Sequence, residues 1–321
     1  MDARPEGEGP DPAFRADVIA GLAAPVPAVP ARWLYDRRGS ELFEAITAQG
    51  EYYPTRTETD LLERHAAELG TIVGAGHAVV EFGSGSSAKT PILLHATAPA
   101  AYVPIDISGD FLRDSAGALQ AEFPDLAVLP VEGDFMRRIA LPPAIADMPK
   151  LGFFPGSTIG NLVARTAVDL LRTMRETLGE GSRLLIGMDR IKPVDVLLRA
   201  YDDAAGVTAA FNLNLLDRIN AELGADIPVE AFRHRAIWND ALSRIEMHLE
   251  AVRDVEFTID GRRFAFAAGD TIHTENSHKN GYRDSRLLLR AAGWGVVGEW
   301  TDQREWFSIL LAEAEPPRFA P

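Results

Sequence analysis

The sequence predicts an α/β protein built on a doubly wound, mostly parallel sheet, with a second α+β lobe added to it. Three observations predict this. Short β-rich runs (HAVVEF, AAYVPID, LAVLPVE, KLGFFPGS and SRLLIGMD) alternate with segments that mostly read as helices, and strands alternating with helices pair in parallel. That rhythm breaks after Asp189, where a long helical stretch (LLRAYDDAAGVTAAFNLNLLDRINAEL) is followed by alternating runs such as RIEMHLEAV and VEFTID. It then resumes with a helix, SRLLLRAAG, and two apolar runs, GWGVVGEW and WFSILLAEA, divided by the polar TDQRE. A closing antiparallel strand pair fits those last runs.

In chain order, residues 1–12 are acidic and rich in proline and glycine, with too few apolar groups to offset ordering entropy, and are expected as a disordered tail. From Phe14 the pattern turns helical, in short helices broken at Gly50 and Pro54. Within the alternating region, Val168, Leu171, Met174 and Leu178 recur every three or four residues. That stripe predicts a helix with one face in the core, ended by Gly179. The expected division is a second lobe over 13–56 and 192–278, and a sheet domain over 57–191 and 279–321.

Composition narrows the function classes. With 321 residues, 46% of them hydrophobic, the chain can bury a sizeable core. Its 47 acidic against 32 basic residues give a net charge of −15, which opposes the phosphate attraction that nucleic-acid binding needs. No cysteine is present, which excludes disulfides and thiol nucleophiles and suits a reducing, cytoplasmic setting. The opening MDARPEGEGPDPAF has no signal-peptide pattern, and no apolar run approaches the ~20 residues of a membrane span. The seven histidines show no H-x-x-x-H spacing, so no metal site is expected. No obligatory protein partner is expected either.

Chemistry gathers at the strand ends. In VVEFGSGSSAKT an apolar strand ends at Glu81 and opens into Gly83, Ser84 and Gly85 before a helix, a turn that lets backbone approach a ligand closely. About twenty residues on, AAYVPID ends in Asp106, where a carboxylate can accept from the hydroxyls of a cofactor ribose. Asp134, in VEGDF, then ends a third strand. Each has an ordinary alternative: a G-x-G is often only a tight turn, and an acid there is often a helix cap. Their order along one sheet edge favours a nucleotide-like ligand. G-S-G-S-S-A also has the form of a dinucleotide fingerprint, so an NAD-dependent dehydrogenase stays open. A phosphate loop is excluded, because Ala88 stands where glycine must precede Lys89.

Taken together, WLYDRRGSELFEAI, EYYPTRTE, EFGSGSSAKT, FFPGSTIGN, AYDDAAGVTAAFN, RIEMHLEA and TENSHK resemble, in that order and across nearly the whole chain, the histidine Nα-methyltransferases of ergothioneine biosynthesis. The resemblance implies a class I S-adenosylmethionine-dependent methyltransferase fold and a second domain made from the N-terminal region plus an insertion. It implies S-adenosylmethionine as cofactor, L-histidine as substrate and hercynine, the α-N-trimethylated amino acid, as product. By position, it places Gly83, Lys89, Asp106, Asp134 and Phe135 on the cofactor. Tyr52, Gly156, Asn161, Tyr201, Thr208, Met247, Glu275 and Ser277 fall to histidine, with Asn161 and Tyr35 nearest the reaction. Around TENSHKN, where Asn276 and His278 stand on either side of Ser277, the sequence departs from the most familiar member of that family.

Physical reasoning supports part of that assignment. Glu275 and Ser277 are two apart, so on an extended segment they share a face. A carboxylate accepting from one imidazole N–H, beside a hydroxyl serving the other nitrogen, suits histidine and penalises ligands that leave the pair unmatched. Asn161, at a strand exit, offers both an acceptor and a donor, though an asparagine there also suits a plain turn. Tyr201 is equally well a packing residue. A different amino-acid substrate, or a silent binding protein that keeps cofactor affinity, are the readings left beside histidine methylation.

Overall fold

The protein is described here from a computed structural model covering residues 11–85 and 89–316. Its elements begin with α1 (Pro12–Leu22), α2 (Arg37–Thr47) and α3 (Tyr53–Val73). The alternating region runs β1 (Ala78–Phe82), α4 (Thr90–Thr97), β2 (Ala101–Asp106), α5 (Gly109–Glu122), β3 (Ala127–Val128), β4 (Val131–Glu132), β5 (Lys150–Phe154), α6 (Ala164–Leu178) and β6 (Arg183–Asp189). The inserted stretch holds α7 (Val194–Tyr201), α8 (Val207–Leu223), β7 (Phe232–Asn239), β8 (Arg244–Ala251), β9 (Val255–Ile259), β10 (Arg262–Phe266) and β11 (Thr271–His278). Last come α9 (Tyr282–Ala291), β12 (Trp294–Thr301) and β13 (Phe307–Ala314).

Two compact units result. One comprises the chain up to Tyr52 together with Pro193–Ser277; the other comprises Tyr53–Lys192 and the chain from His278 onward. The chain therefore passes between units at Tyr52/Tyr53, Lys192/Pro193 and Ser277/His278.

In the second unit the sheet order is β12-β13-β6-β5-β1-β2-β3, with β4 also pairing β2. β1, β2, β5 and β6 run parallel, while β13 is antiparallel to both β6 and β12. This is the class I methyltransferase sheet with its antiparallel closing pair. β1 is buried along its whole length because helices cover both faces, which is why all of it but Glu81 is apolar. Val80, Phe82, Val103 and Ile186 pack on one face with Leu171 and Met174 of α6; Val79, Leu151, Leu185 and Leu311 pack on the other with Leu61 and Leu62 of α3. The chain moves from β1 outward to β2 and β3, then returns to place β5 on the opposite side of β1. Such a reversal opens a crevice at the carboxyl ends of the strands.

Several local expectations are sharpened. α6 buries Leu171, Met174 and Leu178 as expected, adds Ala167 and Leu170, and leaves Val168 at the margin. Gly179 ends it at φ 91°. The run LAVLPVE forms two short strands rather than one, because Pro130 has no N–H to give the ladder. Asp134 therefore sits in the turn after β4 and does not end a strand. Pro54 does not break a helix: it lies in the first turn of α3, where a missing N–H costs no hydrogen bond. Most of the stretch expected as a tail lies outside the described residues, but Asp11 caps α1, accepting from Ala13 N–H at 2.8 Å, and Pro12 begins the helix.

The first unit pairs α2 with α8 and lays α8 on a three-stranded sheet ordered β11-β8-β7. β9 and β10 form a hairpin whose Phe257, Phe264 and Phe266 rings stack. No helix among the described residues is long and apolar enough to cross a membrane.

Candidate active site

In the second unit, the carboxyl ends of β1 and β2 bring the glycine turn and Asp106 together. Gly83 N–H and Ser84 N–H both donate to Ile105 carbonyl, at 2.8 and 3.1 Å, which folds the glycine turn back over β2. Gly83 has φ 73°, a region that disfavours other residues, and a Cβ there would stand 3.1 Å from the Phe135 ring. The Phe135 ring packs edge-on against Phe154 with centroids 5.8 Å apart. Asp106 accepts from Gly85 N–H on one carboxylate oxygen and from Ser108 N–H on the other, each at 3.0 Å. Two backbone clips fix the carboxylate and leave lone pairs on both oxygens for a diol. Asp134 accepts from Met136 N–H at 2.9 Å. These residues fit an adenosine-bearing cofactor.

Beneath the turn, the Glu81 carboxylate is buried and accepts from Thr90 Oγ1 at 2.7 Å and Tyr102 hydroxyl at 2.5 Å. Burial pushes its pKa up to about 7, against the opposing pull of those hydrogen bonds. A carboxyl with a raised folded pKa contributes stability that is fully present below its unfolded value near 4.5 and is lost as pH rises through about 7. Glu81→Gln keeps the acceptor and removes the titration. Its stability relative to wild type should therefore improve by roughly 2–3 kcal/mol between pH 4.5 and pH 8, the linkage expected for such a shift. Denaturant unfolding at several pH values checks this; a difference that does not vary with pH would contradict it.

Lys89 pairs with Glu58 of α3, whose buried carboxylate also accepts Gly156 N–H at 2.8 Å. Gly156, at φ 80°, lies beside Lys89 and Thr158. Glu58 itself fits inside the sheet domain only because Gly187, in the middle of β6, has no side chain; a Cβ there would fall on the carboxylate. Asn161 closes a 3-10 turn over Thr158–Asn161, entered through Ser157 at φ 57°. The adjacent Gly160 carbonyl accepts from His278 Nδ1 at 2.8 Å.

The first unit gathers the remaining residues. Glu275 and Ser277 lie on β11, two apart, and each is met by a tyrosine. Tyr35 hydroxyl donates to Glu275 Oε1 at 3.3 Å, and Tyr201 hydroxyl lies 2.6 Å from Ser277 Oγ. Burial, together with the Glu275 charge, holds the Tyr35 pKa well above the ordinary phenol value, so it stays a neutral donor. Tyr52 packs edge-on with Tyr201 at 6.1 Å, and Phe43 and Phe211 join Tyr35 and Tyr52 in one aromatic group. Met247 is buried on β8, where its carbonyl accepts from Thr274. Thr208, buried near the start of α8, donates its N–H to Asp203 at 2.8 Å. The sequence reading missed Phe43 and Phe211 as members of this group; their spacing from Tyr35 along two separate helices gives no local signal.

The same unit brings together Glu246, His248 and His273, with ligand-type atoms within 4.8 Å of one another. The absence of a helical H-x-x-x-H spacing could not show this, since E-x-H on β8 is joined by a histidine of β11. The two rings stack at 4.8 Å and 18°, so their in-plane lone pairs run parallel and do not converge. The carboxylate is already bonded to Arg244, Asn239 and His248.

Comparison with known proteins adds the following. Residues 14–314 match the family described as histidine-specific, S-adenosylmethionine-dependent methyltransferases. A histidine N-alpha-methyltransferase of Mycolicibacterium smegmatis is 42% identical over 308 residues, covering 94% of each chain. One of Mycobacterium tuberculosis is 39% identical over 311 residues, again covering 94% of each. An L-tryptophan methyltransferase of Psilocybe serbica is 28% identical and covers 96% of this chain and 95% of its own.

Proposed function

This chain belongs to the histidine-specific, S-adenosylmethionine-dependent methyltransferases, and from that premise we propose that it trimethylates the α-amine of L-histidine to hercynine, the first step of ergothioneine biosynthesis. The observation that carries the substrate is the pairing of Glu275 and Ser277 on one face of β11, each held by a tyrosine hydroxyl. S-adenosylmethionine, when bound, supplies an electrophilic methyl group on a sulfonium. The dehydrogenase reading gives way to this family, and Glu275 favours an imidazole over an indole or a phenol.

The residues have a division of labour. Asp106 holds the ribose hydroxyls of the donor, Gly83 admits it to the backbone, and Asp134, Phe135 and Lys89 complete its surroundings. Glu275 accepts from an imidazole N–H and Ser277 serves the second ring nitrogen. Tyr52, Tyr201, Thr208, Met247 and Gly156 complete the substrate set, while Asn161 and Tyr35 orient the amine. Displacement at a methyl carbon asks chiefly for alignment and exclusion of water. A strong base is not needed, because a minor fraction of an α-ammonium is neutral at physiological pH and proton exchange with water replenishes it. Aromatic faces such as Tyr35, Tyr52 and Tyr201 favour a quaternary ammonium by about 0.5–2 kcal/mol each, which suits a site that holds every methylation state.

Mass spectrometry of histidine incubated with the protein and S-adenosylmethionine is expected to show three successive methyl additions, all located on the α-nitrogen by fragmentation. No mass gain on histidine overturns the reaction; a preference for tryptophan or tyrosine in competition overturns the substrate.

A further inference from the structure

The most heavily buried charge cluster of the described residues contains none of the residues assigned above. Asp189, at the end of β6, faces two lysines. Lys192 and Lys279 both pair with its carboxylate, Lys279 at 2.7 Å, and all three side chains are at most 1% exposed. Tyr53 hydroxyl donates to Asp189 Oδ2 at 2.6 Å and accepts from Lys192 at 2.6 Å. The Asp189 N–H donates to Ser157 Oγ at 2.8 Å, at the entrance of the turn that carries Asn161.

The membership of this cluster follows the chain's route. Tyr53 is the first residue after the first passage between units, Lys192 the last before the second, and Lys279 the second after the third. All three passages are thus tied, within the second unit, to a single carboxylate. Tyr52 immediately precedes Tyr53, and Ser277 is two residues before Lys279.

Taking such charges out of water is costly. Burial pulls Lys192 down to about 8, against the attraction of Asp189 and Asp302. The cluster is therefore a specific arrangement of charges and not a packing default, and its members stand at the three places where the chain passes between units.

We propose that Asp189, Lys192, Lys279 and Tyr53 form a positioning cluster for the amine substrate, setting the backbone next to Tyr52, Ser277 and Asn161. This rests on the functional reading above. Lys192→Met and Tyr53→Phe, which untie different passages, test it independently. Each is expected to raise KM for histidine about tenfold, equivalent to ~1.4 kcal/mol, while the dissociation constant for S-adenosylhomocysteine is unchanged. An unchanged KM in both variants overturns the proposal, as does a parallel fall in thermal midpoint and in both affinities. A wild-type protein inert toward histidine overturns the functional reading itself, and the positioning role with it.

Discussion

Glu275→Ala is expected to raise KM for histidine by about one to two orders of magnitude and to leave S-adenosylhomocysteine binding as it was. A hydrogen bond to a charged group contributes about 1.5–3 kcal/mol, or roughly 10–150-fold in affinity. Glu275 is 8% exposed, so little water is at hand to replace it. Its removal also strips Tyr35 of its acceptor. Glu275→Gln, which keeps an acceptor oxygen but loses the charge, should fall between alanine and wild type. Titration calorimetry with each ligand separates the two affinities. The cofactor residues stand in the other unit, on other elements, so an equal loss of both affinities would contradict the division of labour.

Asp106→Ala is expected to show the reverse pattern, weakening S-adenosylhomocysteine by roughly 1–3 kcal/mol, the cost of hydroxyls left without their acceptor. The effect has two sources. The carboxylate is a ligand acceptor, and it also clips Gly85 and Ser108 N–H groups into place. Asp106→Asn retains one oxygen and so one clip, and is expected to lose less. An unchanged dissociation constant in calorimetry for the alanine variant would remove Asp106 from the cofactor set.

Much of the sheet domain was legible because its signals are local. A mostly apolar β1, a glycine turn and an acid at the end of β2 lie within single short segments, and the physics that places them is that of strand burial and positive φ. The helix over Ala164–Leu178 was legible for the same reason, by period and by Gly179. Where local signals conflicted, the stronger constraint won. Pro130 cut one expected strand in two, and Pro54 opened a helix it was expected to break, since a proline's effect depends on which hydrogen bond is already missing.

The substrate side was legible mainly through resemblance. Glu275 and Ser277 sharing a face follows from strand period alone, but their tyrosine partners are 240 and 76 positions away along the chain. No window of sequence connects them. The Glu58–Lys89 pair and the Asp189 cluster were missed for that reason: each joins separate elements through side chains whose spacing carries no period. Tyr53 shows the limit well. It follows Tyr52 directly, and both rings are buried, one among aromatics and one against Asp189 and Trp306.

Gly187 carries a consequence for how such a chain can change over generations. Its missing side chain leaves the room that the Glu58 carboxylate occupies, so the two positions are not free to drift separately. A side chain at 187 would push the Glu58 carboxylate away from Lys89 and the Gly156 N–H. Shortening residue 58 would lose the same two partners, so a change at either position is felt at both ends of that small network.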